Sequence, residues 1–97
     1  MTAEEIQRLK EIVRPVAEQY GVERVSLFGS RARGEERPDS DYDFLVSCGN
    51  IKSLFKLGGL FVDMKDAVGA EIDLVTEDSE DKEFIQDIKQ DAVVLYE

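Results

Sequence analysis

The chain has 97 residues, and its 22 acidic side chains against 12 basic ones give a formal net charge of −10 at pH 7. A chain of this length builds one small hydrophobic core, so we expect a single domain over residues 1–97. The acidic balance argues against nucleic acid as a main partner, because phosphate backbones select basic surfaces. No apolar run approaches the roughly 20 residues of a membrane span. The opening "MTAEEIQRLK" lacks the apolar core of a signal peptide, so we expect a cytoplasmic protein without membrane contact.

The first half of the chain predicts a helix, a strand and a short second helix. The helix begins at Thr2, which opens a capping-box pattern, and ends near Gly21. Pro15 lies inside this helix, and we expect a kink there because proline removes one backbone hydrogen bond. The segment "VERVSLFG" predicts a strand that stops at Gly29. The segment "SRARGEE" then predicts a short helix with Ser30 near its N-terminus.

The second half predicts strands at "DYDFLVS", "AEIDLVT" and "VVLYE", with helices over residues 53–68 and in "DKEFIQDIKQDA". Two adjacent glycines weaken the middle of the 53–68 helix and leave open a break into two helices. Helices that alternate with strands indicate an α/β (α+β) domain, with a small mixed sheet and helices packed mainly on one face. The predicted core stripe of the 53–68 helix consists of Leu54, Leu57, Phe61, Met64 and Val68.

Three aspartates are the candidate metal ligands. Side chains alternate along a strand, so Asp41 and Asp43 project from one face and their apolar neighbours from the other. The same alternation separates Asp73 from Ile72 and Leu74, and the three carboxylates meet if the two strands are neighbours. Crowded carboxylates repel one another unless cations neutralise them. With no histidine and one cysteine in the chain, the ligands must be oxygen atoms, which favours Mg²⁺, Mn²⁺ or Ca²⁺. Two metal ions roughly 4 Å apart would suit an in-line displacement.

The turn that precedes the aspartates is a candidate phosphate site. Gly29 lets the backbone approach a bulky anion, and Ser30 with the N–H groups of a helix start can hold phosphate oxygens. Arg31 or Arg33 can add a charge-assisted contact to the same phosphates. A Gly-Ser pair alone is typical of an ordinary turn. A run of aspartates alone is typical of a solvated acidic loop, and Asp39 is interpreted as a turn residue in that loop. Together, the turn and the acids indicate two halves of one site for a nucleotide with Mg²⁺.

The order "GSRARG", then "SDYDFLV", then "EIDLV" resembles the minimal nucleotidyltransferases of the DNA polymerase beta superfamily over nearly the whole chain. The resemblance implies a nucleotidyltransferase fold in which Gly29 and Ser30 grip a triphosphate. It implies that Asp41 and Asp43 ligate Mg²⁺ ions. It also implies that Asp73 completes the metal site and helps to deprotonate an attacking hydroxyl, so all three aspartates are catalytic candidates.

The same resemblance implies a reaction and a partner. The reaction is transfer of AMP from ATP to a hydroxyl, with pyrophosphate as the leaving group. In the minimal branch the acceptor is commonly a HEPN-family toxin, an RNase, and the nucleotidyltransferase acts as its antitoxin by adenylylating a tyrosine of the toxin. The acidic charge of this chain fits a basic partner of that kind.

Two other functions stay open. The chain can be an antitoxin that neutralises its partner by docking alone, in which case Asp43→Ala leaves neutralisation intact. It can also be the nucleotide-binding subunit of a two-subunit enzyme that acts on small hydroxylated molecules. That function requires a small acceptor that raises pyrophosphate release above background.

Overall fold

A computed structural model describes residues 1–49 and 51–97 of the chain. Within them helices and strands alternate, as the sequence predicts. Along this part of the chain, no helix has both the length and the apolar character that crossing a bilayer requires. In chain order the elements are α1 (Ala3–Tyr20), β1 (Arg24–Phe28), α2 (Ser30–Arg33), β2 (Tyr42–Ser47), α3 (Leu54–Val68), β3 (Ile72–Thr76), α4 (Lys82–Asp91) and β4 (Val93–Tyr96).

The four strands form one mixed sheet in the order β3-β2-β1-β4. β1 is antiparallel to both β2 and β4, whereas β2 and β3 are parallel. A parallel pair needs a long crossover connection, and α3 supplies it between β2 and β3. The predicted small mixed sheet is therefore confirmed.

The start of α1 has the predicted capping box. The Glu5 N–H donates to the Thr2 hydroxyl oxygen at 3.1 Å, and the Thr2 N–H donates to the Glu5 carboxylate at 3.1 Å. The helix continues through Pro15 and ends at Gly21, whose left-handed φ of 68° lets the chain turn into β1. The predicted bounds of this helix are confirmed.

Helices cover the two faces of the sheet unequally. α1 and α3 pack on the face that carries Phe44 and Val46, where the main core lies. α4 packs on the other face, where its Ile85 contacts Phe28 and Leu45. Since Leu45 lies two residues from Asp43 on the same face, the acid-bearing face is covered by α4 over part of its area. The prediction that the helices pack mainly on one face is confirmed, and α4 covers the apolar side chains farther along β2 on the other face.

α3 is one continuous helix, so the possible break at its two glycines is wrong. A Cβ at Gly59 would lie 2.9 Å from the Tyr20 hydroxyl oxygen, so a larger residue here would displace the end of the Tyr20 side chain. The Tyr20 hydroxyl donates a hydrogen bond to the Asp63 carboxylate of α3. Gly59 thus lies at the contact with α1, whereas a Cβ at Gly58 would meet nothing within 4 Å, and neither glycine interrupts the helix.

The predicted core stripe of α3 is only partly right. Met64 is fully buried, as predicted. Phe61 is 37% exposed, and the residue before it, Leu60, is buried instead. Leu54 is 84% exposed. We call the exposed apolar surface of this helix the α3 patch; it consists of Leu54, Phe55, Phe61 and Val62.

Candidate active site

The structure brings two of the three predicted carboxylates side by side. Asp43 of β2 and Asp73 of β3 are register partners in the parallel pair, so their side chains project from the same face. Asp43 is half-buried, and Asp73 is exposed. Asp41 is exposed and directly precedes β2, so it lies just outside the strand in which the sequence placed it. The prediction required β2 and β3 to be neighbours in the sheet, and this is confirmed.

The other two carboxylates act electrostatically on Asp43. Burial raises the pKa of Asp43, and the negative charges of Asp73 and Asp41 raise it further. The positive charges of Arg33 and Arg31 oppose this rise without cancelling it. A carboxylate whose ionised form is disfavoured in this way gains from a bound cation, because the cation removes both the repulsion and part of the desolvation cost.

The donor set fits a hard divalent cation. Carboxylate oxygens are the ligands that Mg²⁺ takes from proteins, usually one or two of them together with substrate phosphates. Across residues 1–49 and 51–97, no three acidic, cysteine or histidine side chains are already gathered closely enough to surround an ion. The fit therefore rests on the Asp43–Asp73 pair, with Asp41 beside it.

Gly29 joins the turn to the acids. Its backbone has φ 76° and ψ −155°, a conformation that is accessible almost only to glycine. A Cβ at this position would lie 2.2 Å from the Asp43 carboxylate oxygen Oδ2. The preceding Phe28 is the register partner of Asp43 across β1 and β2, which explains why the turn lies against this carboxylate. The two halves that the sequence assigned to one site are in direct proximity.

Ser30 is the first residue of α2, as predicted. This helix is a single turn that ends at Gly34, with the Arg33 N–H donating to the Gly29 carbonyl oxygen at 3.1 Å. The Glu35 N–H donates to the Ser30 carbonyl oxygen at 2.9 Å. The N–H groups of a first helical turn have no intrahelical acceptor, so the start of α2 at Ser30 offers N–H donors directly after Gly29, which lies against the Asp43 carboxylate.

The two arginines have different surroundings. Arg31 donates from Nε and Nη2 to the Ser40 carbonyl oxygen at 3.2 and 2.8 Å, and its guanidinium carbon lies 3.9 Å from the centroid of the Tyr42 ring. Arg33 is exposed and donates from Nε to the Glu35 carboxylate at 2.8 Å, a contact that raises the pKa of Arg33. Sequence reasoning missed the contact of Arg31 with Tyr42. Strand alternation did place Tyr42 on the core face, but nothing local paired it with a cation.

A mixed sheet whose parallel pair carries adjacent carboxylates, with a glycine turn against one of them, defines a nucleotidyltransferase fold. The polymerase beta nucleotidyltransferase family matches residues 10–97. A solved structure assigned as a minimal nucleotidyltransferase has a TM-score of 0.79 to this chain at 30% identity, covering 96% of this chain and 95% of that one. This chain belongs to the polymerase beta nucleotidyltransferase family, and the resemblance inferred from its motifs is confirmed.

Two further similarities concern named proteins. Protein adenylyltransferase MntA of Thermococcus cleftensis is 38% identical over 80 residues, which are 81% of this chain and 81% of that protein. A toxin–antitoxin crystal structure with AMP-PNP contains a chain of the same fold, with a TM-score of 0.76 at 19% identity over 90% of this chain and 72% of that one.

Proposed function

We propose that this nucleotidyltransferase transfers AMP from ATP to a tyrosine hydroxyl of a HEPN-family toxin and thereby acts as its antitoxin. The observation that carries the proposal is the proximity of the two halves of the site, with Gly29 against the Asp43 carboxylate and Asp43 beside Asp73. The similarity to MntA supports adenylyl transfer to a protein. The fold shared with a toxin–antitoxin complex that holds AMP-PNP supports ATP as the donor and a toxin as the acceptor.

The residues of the site have separate roles in the reaction. The Gly29 backbone and the Ser30 hydroxyl bind the triphosphate beside the acids, which places the α-phosphorus near the acceptor. Asp41, Asp43 and Asp73 would hold two Mg²⁺ ions, which would supply charge neutralisation for the triphosphate and for the developing negative charge. The tyrosine oxygen forms a bond to the α-phosphorus, the bond from that phosphorus to the β-phosphate oxygen breaks, and pyrophosphate leaves. Asp73 takes the proton of the attacking hydroxyl.

Arg33 is the arginine that we propose as a phosphate contact. Its guanidinium is exposed, and its charge is close enough to Asp43 to oppose the rise in the pKa of that carboxyl. The ion pair with Glu35 at the surface is worth little, so a triphosphate can replace it without a large loss. A guanidinium beside the phosphates stabilises the charge that builds up on them during transfer.

The surface of the domain supports a protein as the acceptor. Exposed apolar patches are common at sites of protein–protein contact, and the α3 patch includes Phe55, which is 92% exposed. The net charge of −10 favours association with a basic protein such as an RNase. A small hydroxylated acceptor requires neither feature.

An assay with labelled ATP tests the proposal. The chain is incubated with a HEPN-family toxin from the same genome and with ATP labelled at either the α- or the γ-phosphorus. We expect label on the toxin from α-labelled ATP only, and we expect Asp73→Asn to reduce it at least about a hundredfold because the proton acceptor is lost. The matched control is Asp39→Asn in the exposed turn, which should stay within about twofold of the wild type since surface changes away from a site have little effect.

Transfer of the γ label would contradict adenylyl transfer and indicate a kinase. An unlabelled toxin that still forms a complex with wild-type protein would overturn the enzymatic proposal and leave an antitoxin that acts by docking.

A further inference from the structure

Arg31 holds the backbone on both sides of Asp41. On one side its Nε and Nη2 groups donate to the carbonyl oxygen of Ser40, at 3.2 and 2.8 Å. On the other side its guanidinium carbon lies 3.9 Å from the centroid of the Tyr42 ring. The residue between these two anchors, Asp41, is itself exposed.

The anchors of Arg31 are themselves fixed. The Tyr42 ring stacks on the fully buried Phe44 ring with a centroid distance of 6.4 Å and an interplanar angle of 16°. The Tyr42 N–H donates to the Glu71 carbonyl oxygen at 3.1 Å, which ties the start of β2 to the residue before β3. The Ser40 N–H donates to the Arg37 carbonyl oxygen at 3.0 Å and closes the turn that leads to Asp41.

We propose that Arg31 is a positioning residue, which fixes the direction of the Asp41 carboxylate at the metal site by clamping its two neighbours. The inference rests on the proposed function, because it takes Asp41 as a metal ligand. It assigns Arg31 a role other than the phosphate contact that the sequence suggested. A planar guanidinium suits this role, since it can donate two hydrogen bonds in a fixed fork while its face lies on an aromatic ring.

Whether Arg31→Gln tightens or weakens metal binding distinguishes a positioning role of Arg31 from an effect of its charge alone. Arg31 carries a positive charge close enough to the acids to oppose the rise in the pKa of Asp43. If charge were its whole effect, Arg31→Gln would tighten the binding of a divalent cation, because a repulsive charge is removed. If Arg31 positions Asp41, the same change weakens metal binding. Arg33→Gln is the matched control, since Arg33 also opposes the rise in the pKa of Asp43 but pairs with the surface residue Glu35.

Mn²⁺ titrations of the full chain, followed by the electron paramagnetic resonance signal of free Mn²⁺, measure this effect without any reaction. We expect Arg31→Gln to raise the dissociation constant for Mn²⁺ about tenfold, which is the lower end of the loss typical when a group that orients a metal ligand is removed. Arg31→Lys, which keeps the charge without the planar fork, should also weaken binding. Arg33→Gln should leave the affinity unchanged or higher. Tighter or unchanged binding by Arg31→Gln would overturn the positioning role.

Amide hydrogen exchange of the metal-free protein tests the clamp separately from the metal site. We expect Arg31→Gln to speed exchange of the Tyr42 N–H, which the hydrogen bond to Glu71 protects, and Arg33→Gln to leave it unchanged. Unchanged exchange in Arg31→Gln would overturn the clamp. Failure of the wild-type protein to bind Mn²⁺ would instead overturn the proposed metal site, so the two failures are distinguishable.

Discussion

Asp43→Asn should lower the rate of adenylyl transfer at least about a thousandfold, which corresponds to about 4 kcal/mol of lost transition-state stabilisation. Asp43 lies at the centre of the site, beside Asp73 in the sheet and against the Gly29 turn. The amide of asparagine removes a negative charge without changing the size of the side chain. Pyrophosphate release in the presence of the toxin measures the loss, and a rate within tenfold of the wild type would contradict the role of Asp43.

The same variant should be at least as stable as the wild type in the absence of metal. Burial and the neighbouring carboxylates raise the pKa of Asp43 above its ordinary value of 3.8. A group whose folded-state pKa is raised contributes stability that is present at low pH and is lost as the pH rises through that pKa. At pH 7 ionised Asp43 is therefore unfavourable, and Asp43→Asn removes this cost.

Thermal melting at pH 7 and at acid pH checks the sign of this effect. The advantage of Asp43→Asn should be greatest at neutral pH and should shrink as the pH falls through the raised pKa of Asp43, where the wild-type carboxyl becomes neutral. Added Mg²⁺ should raise the melting temperature of the wild type and not that of the variant. A stability advantage of Asp43→Asn over the wild type that is smaller at pH 7 than at acid pH would contradict this account.

Gly29→Ala should abolish most of the activity through a collision inside the site. The added Cβ would lie 2.2 Å from Oδ2 of Asp43, so either the carboxylate or the turn must move. The backbone conformation at φ 76° and ψ −155° adds a strain of roughly 1–3 kcal/mol for any residue with a Cβ. Since displacement of a reacting group by about 1 Å can cost roughly a hundredfold in rate, we expect at least that loss of pyrophosphate release.

Gly34→Ala is the matched control for this prediction. Gly34 also has a positive φ, 75°, but a Cβ there would meet nothing within 4 Å. The substitution should cost about 1 kcal/mol of stability through backbone strain alone and leave the activity largely intact. Thermal melting and pyrophosphate release on both variants separate strain from collision. Equal loss of activity in the two variants would show that strain, and not contact with Asp43, explains the requirement for glycine.

Local patterns predict the elements of this fold well because their causes are local. The capping box at Thr2 and the left-handed glycine at Gly21 bound α1 without help from the rest of the chain. Strand alternation correctly separates Asp43 and Asp73 from their apolar neighbours, because the period of a strand is fixed by its backbone.

The features that the sequence did not reveal depend on packing between elements. Leu60 is buried in α3 instead of Phe61 because the orientation of that helix is set by its contacts with α1 and the sheet. α4 covers the apolar end of the face that carries Asp43, a placement that no pattern within α4 specifies. The contact of Arg31 with Ser40 and Tyr42 likewise arises from the path of the loop before β2.

Intact-mass spectrometry of the partner tests the central claim most directly. The chain is co-expressed with a HEPN-family toxin from the same genome, and the purified toxin is weighed after incubation with and without ATP and Mg²⁺. We predict that the toxin gains the mass of one or more AMP groups with the wild-type protein and none with Asp43→Asn. A toxin of unchanged mass that is nevertheless neutralised equally by both proteins would contradict the account.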